Sequence, residues 1–325
     1  MANINIDARK IPIVLFIVLL SVLVLTFSSV RAQDSGKVEG IVHNWTTNGY
    51  KQVTVQLSDQ SLSPRSSLSD KSLNASSAGC TLSQTGMIAH WPLDDGAGAN
   101  SFKDVLDGHD GTCDNGYCPA AAIGKVGGAF TFNSSDKDSI NVPSSTDFDW
   151  LNTDSFSVGV WVKTTQNCFG NKVFIGRYRE TIPNGTWWVG CAPVDSEDPE
   201  NEDGVAVFRM RDSNLNPRQA NGTSKINDGQ WHYIVGVRDG VTDKNYLYVD
   251  GVMEKMLDIP VYTGQFASDL RLTMGSYDDP QDYYYEGVMD EVVIYDRALP
   301  ANEIKSYFNA CIVLSPNIYL PLVLR

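Results

Sequence analysis

Residues 286–304, "EGVMDEVVIYDRALPANEI", run as an apolar strand into a short helical stretch, with Pro300 and Asn302 near the helix start and Ile304, Tyr307 and Phe308 spaced for one buried face. The strand carries two adjacent acids, Asp290 and Glu291, inside its apolar part. Neighbours on a regular strand point to opposite faces, so this pair is expected to split between the two sides of a sheet. Upstream, from Met87 onward, similar short runs alternate with turns: "MIAHWPL", "GAFTF", "SINVP", "FSVGVWVKT", "KVFIGRY", "TWWVG", "VAVFRM", "WHYIVGVRDG", "NYLYVDGVM" and "LRLTMGS". Regular punctuation by Gly, Asn, Asp and Pro predicts an all-β fold, an antiparallel sandwich of two sheets with one short C-terminal helix. In "WHYIVGVR", Trp231, Tyr233, Val235 and Val237 share one face, and Asp250-Gly251 predicts a tight hairpin.

The remaining segments differ in character. Arg9 and Lys10 precede an apolar run from Ile11 to Leu20 that resumes through Val22 to Phe27, and Val30 and Ala32 precede a plausible cut before Gln33. Residues 1–32 therefore read as a signal peptide, with an uncleaved membrane anchor as the alternative. Within 33–79, alternating apolar positions on either side of Asn48-Gly49 predict a hairpin, and the Ser-rich 58–78 predicts a linker. The apolar tail 312–325 reads either as a sorting or attachment signal or as a last packed strand. A net charge of -14, from 25 Lys+Arg against 39 Asp+Glu, argues against nucleic acid or an anionic membrane as partner. No membrane-spanning segment is expected after leader removal, and the expected location is secreted or cell-surface. Sequons at Asn44, Asn74, Asn133, Asn184 and Asn221 suit glycosylation only in a host that performs it.

Six cysteines in an exported chain predict a disulfide framework whose pairing sequence alone leaves open. Position favours Cys113 with Cys118, which bracket the turn "DNGY", and Cys168 with Cys191, each just after a strand. Cys80 and Cys311 then remain to bring the domain ends together. A thiol metal site is the weaker reading, because no CxxC spacing is present.

Five segments carry a family resemblance: "AHWPLDDGAGANSFKDVLDGHDGT" (89–112), "GKVGGAFTFNSSDKDSINVP" (124–143), "FSVGVWVKT" (156–164), "DGQWHYIVGVRDG" with "LYVDG" (228–251) and "GVMDEVVIYDRALPANEI" (287–304). In order, they resemble the signatures of the LamG-like jellyroll domain of the concanavalin A-like lectin/glucanase superfamily. The resemblance covers about 80–311 and implies a jellyroll sandwich. It does not fix an activity.

A glucanase on this fold needs carboxylates at alternate strand positions aimed into one cleft. The chain has no Glu-x-Asp-x-Glu arrangement and no Gly-x-Ser-x-Gly elbow, and its four histidines are scattered, so no catalytic residue is assigned. His232 is expected simply to pack at its sheet, and the acidic run 195–204 to be a solvated loop. Sugar binding needs aromatic platforms beside polar groups. The candidates are Trp187 and Trp188, adjacent on one strand so that one faces away if the other is in the core, with Tyr283, Tyr284 and Tyr285, and with Arg177 and Arg209 near strand ends. The function expected is that of an exported, non-catalytic module binding carbohydrate or a cell-surface protein. The alternatives are a glycan hydrolase or hydrolase-associated domain, and a purely structural surface protein.

If Cys80 meets Cys311, the first domain strand lies antiparallel beside the last, which draws Asp94 toward Asp290 while the loop holding Asp104 folds over the same rim. Carboxylates so close repel, and a hard cation with six to eight oxygen ligands relieves them. The resemblance implies calcium at a corresponding rim, with Asp94, Asp104 and Asp290 as candidate ligands. Asp110 joins them if its loop reaches, and Glu291 faces away. The competing reading has Asp290 accepting backbone amides at a strand end.

Overall fold

The computed structural model describes residues 80–313 apart from 115, 180–183, 194–203, 259–261 and 278–282, together with the backbone of four upstream strands. The Ser-rich linker, most of the acidic run, the sequons at Asn44 and Asn74 and the tail beyond 313 lie outside the described residues. The chain divides into two units, Met1–Ser72 and Leu73–Arg325. In the first, β1 (Ile17–Leu20), β2 (Leu23–Ala32), β3 (Lys37–His43) and β4 (Lys51–Gln56) form an antiparallel sheet in chain order. β3 pairs with β4 from Lys37 opposite Gln56 to Val42 opposite Lys51, and the turn expected at Asn48-Gly49 lies outside the described residues.

The second unit begins with β5 (Met87–Trp91), β6 (Ser101–Phe102), β7 (Gly111–Thr112), β8 (Ala120–Ile123), β9 (Gly128–Phe132) and β10 (Ile140–Val142). A 3-10 turn, Thr146–Phe148, leads to β11 (Phe156–Lys163), β12 (Lys172–Arg177), β13 (Thr186–Pro193), β14 (Gly204–Arg211) and β15 (Pro217–Lys225). The chain closes with β16 (Trp231–Asp239), β17 (Lys244–Val249), β18 (Val252–Leu257), β19 (Leu272–Met274), β20 (Gly287–Tyr295) and the helix α1 (Ala301–Val313). One sheet runs β18-β17-β16-β11-β20-β9-β8, with β5 also on β20; the other runs β15-β14-β13-β12-β19-β10-β7-β6. All pairings are antiparallel, giving the two-sheet jellyroll sandwich with one C-terminal helix.

The inner faces interdigitate around Phe130, Phe132, Val158, Val160 and Ile234 from the first sheet, and Phe174, Trp187, Phe208 and Met274 from the second. Trp150 stacks on Phe156 at 3.8 Å within this core. Strand β11 is apolar on both sides because α1 covers the outer face of its sheet: Trp161, Tyr233, Val235, Val293 and Tyr295 pack there against Ile304 and Tyr307. Three cystines join Cys80 to Cys311, Cys113 to Cys118 and Cys168 to Cys191, and no cysteine is free. The first spans 231 residues and ties the approach to β5 to the end of α1. Closing so long a loop stabilises by about 5 kcal/mol in the chain-entropy model.

The adjacent acids do not split between faces as a regular strand predicts. Met289, Val292 and Ile294 face the core, whereas Val293 and Tyr295 face α1. Against β11, Asp290 lies opposite Trp161 and Val293 opposite Gly159, so Glu291 and Val292 share the place facing Val160. This is a β-bulge, and Glu291 takes its left-handed conformation, φ 51°. Asp290 opposite Trp161 and Glu291 beside His90 therefore both project to the outer side. The extra residue shifts the alternation by one and admits two consecutive polar residues without breaking the core.

Candidate functional site on the outer face of the second sheet

Alternation on β12 to β15 sends one set of side chains outward, and strand register aligns them. Thr112, Asn141, Thr273, Gly176, Trp188, Arg209 and Gln219 form one cross-strand row over β7, β10, β19, β12, β13, β14 and β15. Trp187 points into the sandwich core and Trp188 out of it, as neighbours on a strand must. Gly176 is required beside it, because a Cβ there would lie 2.5 Å from the Cβ of Trp188. Trp188 is nevertheless fully buried: Tyr277 meets it edge-on at 5.7 Å and packs in turn, with rings tilted, against Tyr178 and Tyr283. The guanidinium groups of Arg211 and Arg209 stand 5.3 and 6.0 Å from the Tyr178 ring.

The five aromatic candidates therefore separate. Trp187 and Tyr285 are core residues and correct the expectation that they line a binding surface; the Tyr285 hydroxyl donates to the carbonyls of Lys163 and Val288. Burial pushes that hydroxyl's pKa well up, outweighing the bond to Lys163. Trp188 and Tyr283 meet in the outer-face cluster, but Trp188 is covered and offers no open platform. Tyr284 is half-buried and reaches an open pocket of about 480 Å³, where the Lys137 ammonium stands 5.9 Å from its ring. Tyr117, Asn141, Arg179, Arg271 and Asp114 also line it. Tyr117 is 46% exposed and rides on the turn pinned by Cys113–Cys118. Sequence reasoning missed Tyr117, Lys137, Asn141, Arg179 and Arg271, which come from separate segments; the closely spaced cysteines were the only signal at any of them. A smaller pocket of about 290 Å³ holds the exposed Phe169 beside Asn171, Gln219 and Asn221.

Arg177 is no ligand contact either. It is 1% exposed, with Nε donating to Leu270 O at 3.0 Å and Nη1 donating to Phe148 O at 2.7 Å and Asp149 Oδ1 at 2.8 Å.

The acids proposed for a metal are already engaged. Asp104 is fully buried; Oδ1 accepts from the amides of His90 and Leu106, and Oδ2 from the amides of Gly108 and His109 and from His109 Nδ1. It organises its own loop, which removes it from the candidate ligand set. Asp110 accepts from Lys103 Nζ and the Asp104 amide. Asp94 and Asp290 instead converge on one loop: Asp94 accepts from the Gly128 amide, and Asp290 Oδ2 from the amides of Lys125 and Val126 at 2.7 and 2.9 Å. Asp290 Oδ1 is buried with no hydrogen-bond partner. Burial drives the Asp290 pKa well above the carboxylate range, and the charges of Glu291 and Asp94 add to this against the two amide bonds. Among the described residues no group of three His, Cys, Asp or Glu is placed to hold a metal. Of the three acids, Asp94 and Asp290 are the two bound to a common loop, and the partnerless Asp290 Oδ1 is an acceptor of the kind a hard cation takes.

Two histidines sit in acid networks that sequence did not reveal. His109 lies 3.2 Å from Asp104 and 3.0 Å from Asp147, with Ser145 Oγ at 3.4 Å. The composition is that of a hydrolytic triad, but Ser145 Oγ accepts from the Asp147 amide and caps the 3-10 turn, which leaves it a structural oxygen. His232 bridges Asp250 at 2.8 Å and Asp228 at 3.1 Å. Burial lowers its pKa, yet the two carboxylates outweigh burial and hold it above the ordinary value. A raised folded-state pKa contributes stability that is full below the unfolded value of about 6.5 and is lost as pH rises through the folded one. The wild-type melting temperature should therefore fall as pH rises above about 6.5, and His232→Gln should flatten this dependence in thermal melts. A variant with an unaltered pH profile would remove His232 as its source.

Residues 133–305 match the family model of the concanavalin A-like lectin/glucanases superfamily. The chain belongs to that superfamily. Its fold recurs in the binding domain of Paraclostridial Mosquitocidal Protein 1, with TM-score 0.53 and 16% identity over 70% of this chain and 52% of that one. It also recurs in the Botulinum neurotoxin serotype G binding domain, with TM-score 0.51 and 16% identity over 68% of this chain and 50% of that one. This superfamily member thus spans about half the length of the two toxin domains. Domain 4 of AbnA, a GH43 extracellular arabinanase from Geobacillus stearothermophilus, solved with arabinotriose, gives TM-score 0.49 and 24% identity over 68% of this chain and 97% of that one. No curated protein matches the chain.

Proposed function

We propose that this chain is an exported, non-catalytic recognition module that binds carbohydrate in the pocket lined by Tyr117 and Tyr284. The carrying observation is the pocket itself, an open concavity of about 480 Å³ that sets tyrosine rings beside Asn141, Ser139, Arg179 and Arg271. Saccharides present apolar ring faces to aromatics and hydroxyls to such polar groups, so this is the chemistry their recognition needs. Hydrolysis of a glycosidic bond takes two flanking carboxyl groups, and Asp114 is the one acid among the described lining residues. Superfamily membership is in keeping with a binding role, and the apolar run after Arg9 and Lys10 supports export.

A glycan array read with calcium and with chelator tests the reading. The expected result is retention of a saccharide class without turnover, weakened about tenfold by Tyr117→Ala and by Tyr284→Ala. An empty array, or binding unchanged in both variants, would overturn it. The module also takes calcium, in this proposal, at Asp94 and Asp290, where the ion supplies positive charge to two carboxyl groups that bind the same loop.

A further inference from the structure

The pocket of about 290 Å³ around Phe169 has no role in the reading above. A lone exposed apolar side chain needs no explanation on a protein surface, but this one stands in a concavity with three carboxamides, Asn171, Gln219 and Asn221. The ring is 50% exposed, and its turn is held from behind. Cys168, buried next to it in the chain, is bonded to Cys191 on β13, and the Asn171 amide donates to the Cys168 carbonyl at 3.1 Å. Gly170 and Asn171 complete the turn in the left-handed region, at φ 75° and 62°, which these two residue types enter at least cost. Across from it on β15, Gln219 and Asn221 share one face of the strand, and Gln219 Nε2 donates to Asn221 Oδ1 at 2.8 Å, which orders both amides.

We infer that the Phe169 pocket is a second saccharide site, set to engage the same glycan chain as the pocket of Tyr117 and Tyr284; the pairing of the two rests on the carbohydrate reading above. An aromatic ring held open to water offers a platform to a sugar ring face, and carboxamides offer its hydroxyls both donor and acceptor. Strand register sets the separation of the two pockets. Asn141 of the first and Gln219 of the second lie on one cross-strand row, through Thr273, Gly176, Trp188 and Arg209. Five strand spacings of about 4.8 Å put these two side chains about 24 Å apart on the same face of the sheet. Between them Trp188 is packed under Tyr277, which in turn meets Tyr178, so the pockets are separate subsites rather than one continuous groove. A glycan long enough to span the gap fills both, its second contact being intramolecular, and gains an avidity that a short one lacks.

Isothermal titration of the full chain tests this with short and long members of the xylo-, arabino-, malto- and galacturono-oligosaccharide series. The protein is made in a host without N-glycosylation, because Asn221 heads a sequon. In a series that binds, short members should saturate at two equivalents per chain, and members longer than the span should bind at least about tenfold more tightly. Phe169→Ala should lower the stoichiometry to one equivalent and remove the length advantage, while its melting temperature stays that of wild type because the ring is at the surface. Phe169→Tyr keeps an aromatic face and should keep both properties. One equivalent at every length, with Phe169→Ala like wild type, would overturn the second site and leave the carbohydrate reading standing. No binding in any series would also overturn it, and the glycan array then decides separately whether the carbohydrate reading falls too.

Discussion

Arg177→Met should lower the melting temperature by roughly 10 °C or more. The guanidinium is buried where Phe148, Asp149, Ser268 and Leu270 converge beneath the edge of β12. It donates to three backbone carbonyls, to Asp149 and, at 3.2 Å, to Ser144 Oγ, and so satisfies acceptors from two connecting segments that have no sheet partner there. Methionine fills much of the same space but leaves those carbonyls without their donor, and of Arg177 and the Ser268 amide Asp149 Oδ1 keeps only the latter. Breaking a buried pair from one side costs about 3 to 5 kcal/mol, and a domain of this size loses about 2 to 4 °C per kcal/mol. Arg177→Lys should recover only part of the loss, since an ammonium cannot place donors in a planar fork. Thermal melts followed by circular dichroism decide it: a methionine variant melting within a degree or two of wild type would show that the clamp contributes little.

That role was not legible in the sequence, where Arg177 is one arginine near a strand end. What was legible depended on local periodicity. The run "WHYIVGVR" does place Tyr233, Val235 and Val237 on one face and Ile234 on the other, because strand pairing preserves the alternation. Cys80 and Cys311 could be matched because domain ends tend to meet, and β5 does lie antiparallel on β20. The two-residue strands β6 and β7 are too short for any pattern. Trp187 and Trp188 were separable by alternation, but the covering of Trp188 is tertiary, since Tyr277 and Tyr283 arrive from a connection about ninety positions further along. The bulge left a trace that period-two reading passes over: the core-facing residues of β20 are Met289, Val292 and Ile294, a step of three followed by a step of two. The open pocket left almost none, because Tyr117, Lys137, Asn141, Arg179 and Arg271 share a neighbourhood only once the sheet has formed.

The bulge also sets the terms of the second large effect, the response of Asp290 to calcium. By turning Asp290 outward opposite Trp161, it delivers the carboxyl to the loop 124–128, where two amides bind one oxygen and the other is left buried without a partner. Asp94 enters the same loop through the Gly128 amide, and its charge adds to that of Glu291 against Asp290. Without an ion this arrangement is costly, because burial holds the Asp290 pKa well above the carboxylate range and Oδ1 has no hydrogen-bond partner. Asp290→Asn should then be no less stable than wild type in chelator: the amide keeps an oxygen for Lys125 and Val126 and has no ionised form to bury. Calcium should separate the two proteins. An ion bound only by the folded state stabilises by about 2.7 kcal/mol at a hundredfold excess over its dissociation constant, which for this domain is a rise of roughly 5 to 10 °C. Wild type should show that rise and reverse it on chelation, whereas Asp290→Asn and Asp94→Asn should respond little. Asp104→Asn serves as the control, since its oxygens hold a loop rather than an ion: it should lower the melting temperature equally with and without calcium. If wild type melts at one temperature in calcium and in chelator, the two amide bonds are the whole role of Asp290, and the adjacent acids of β20 are a bulge that fastens a loop.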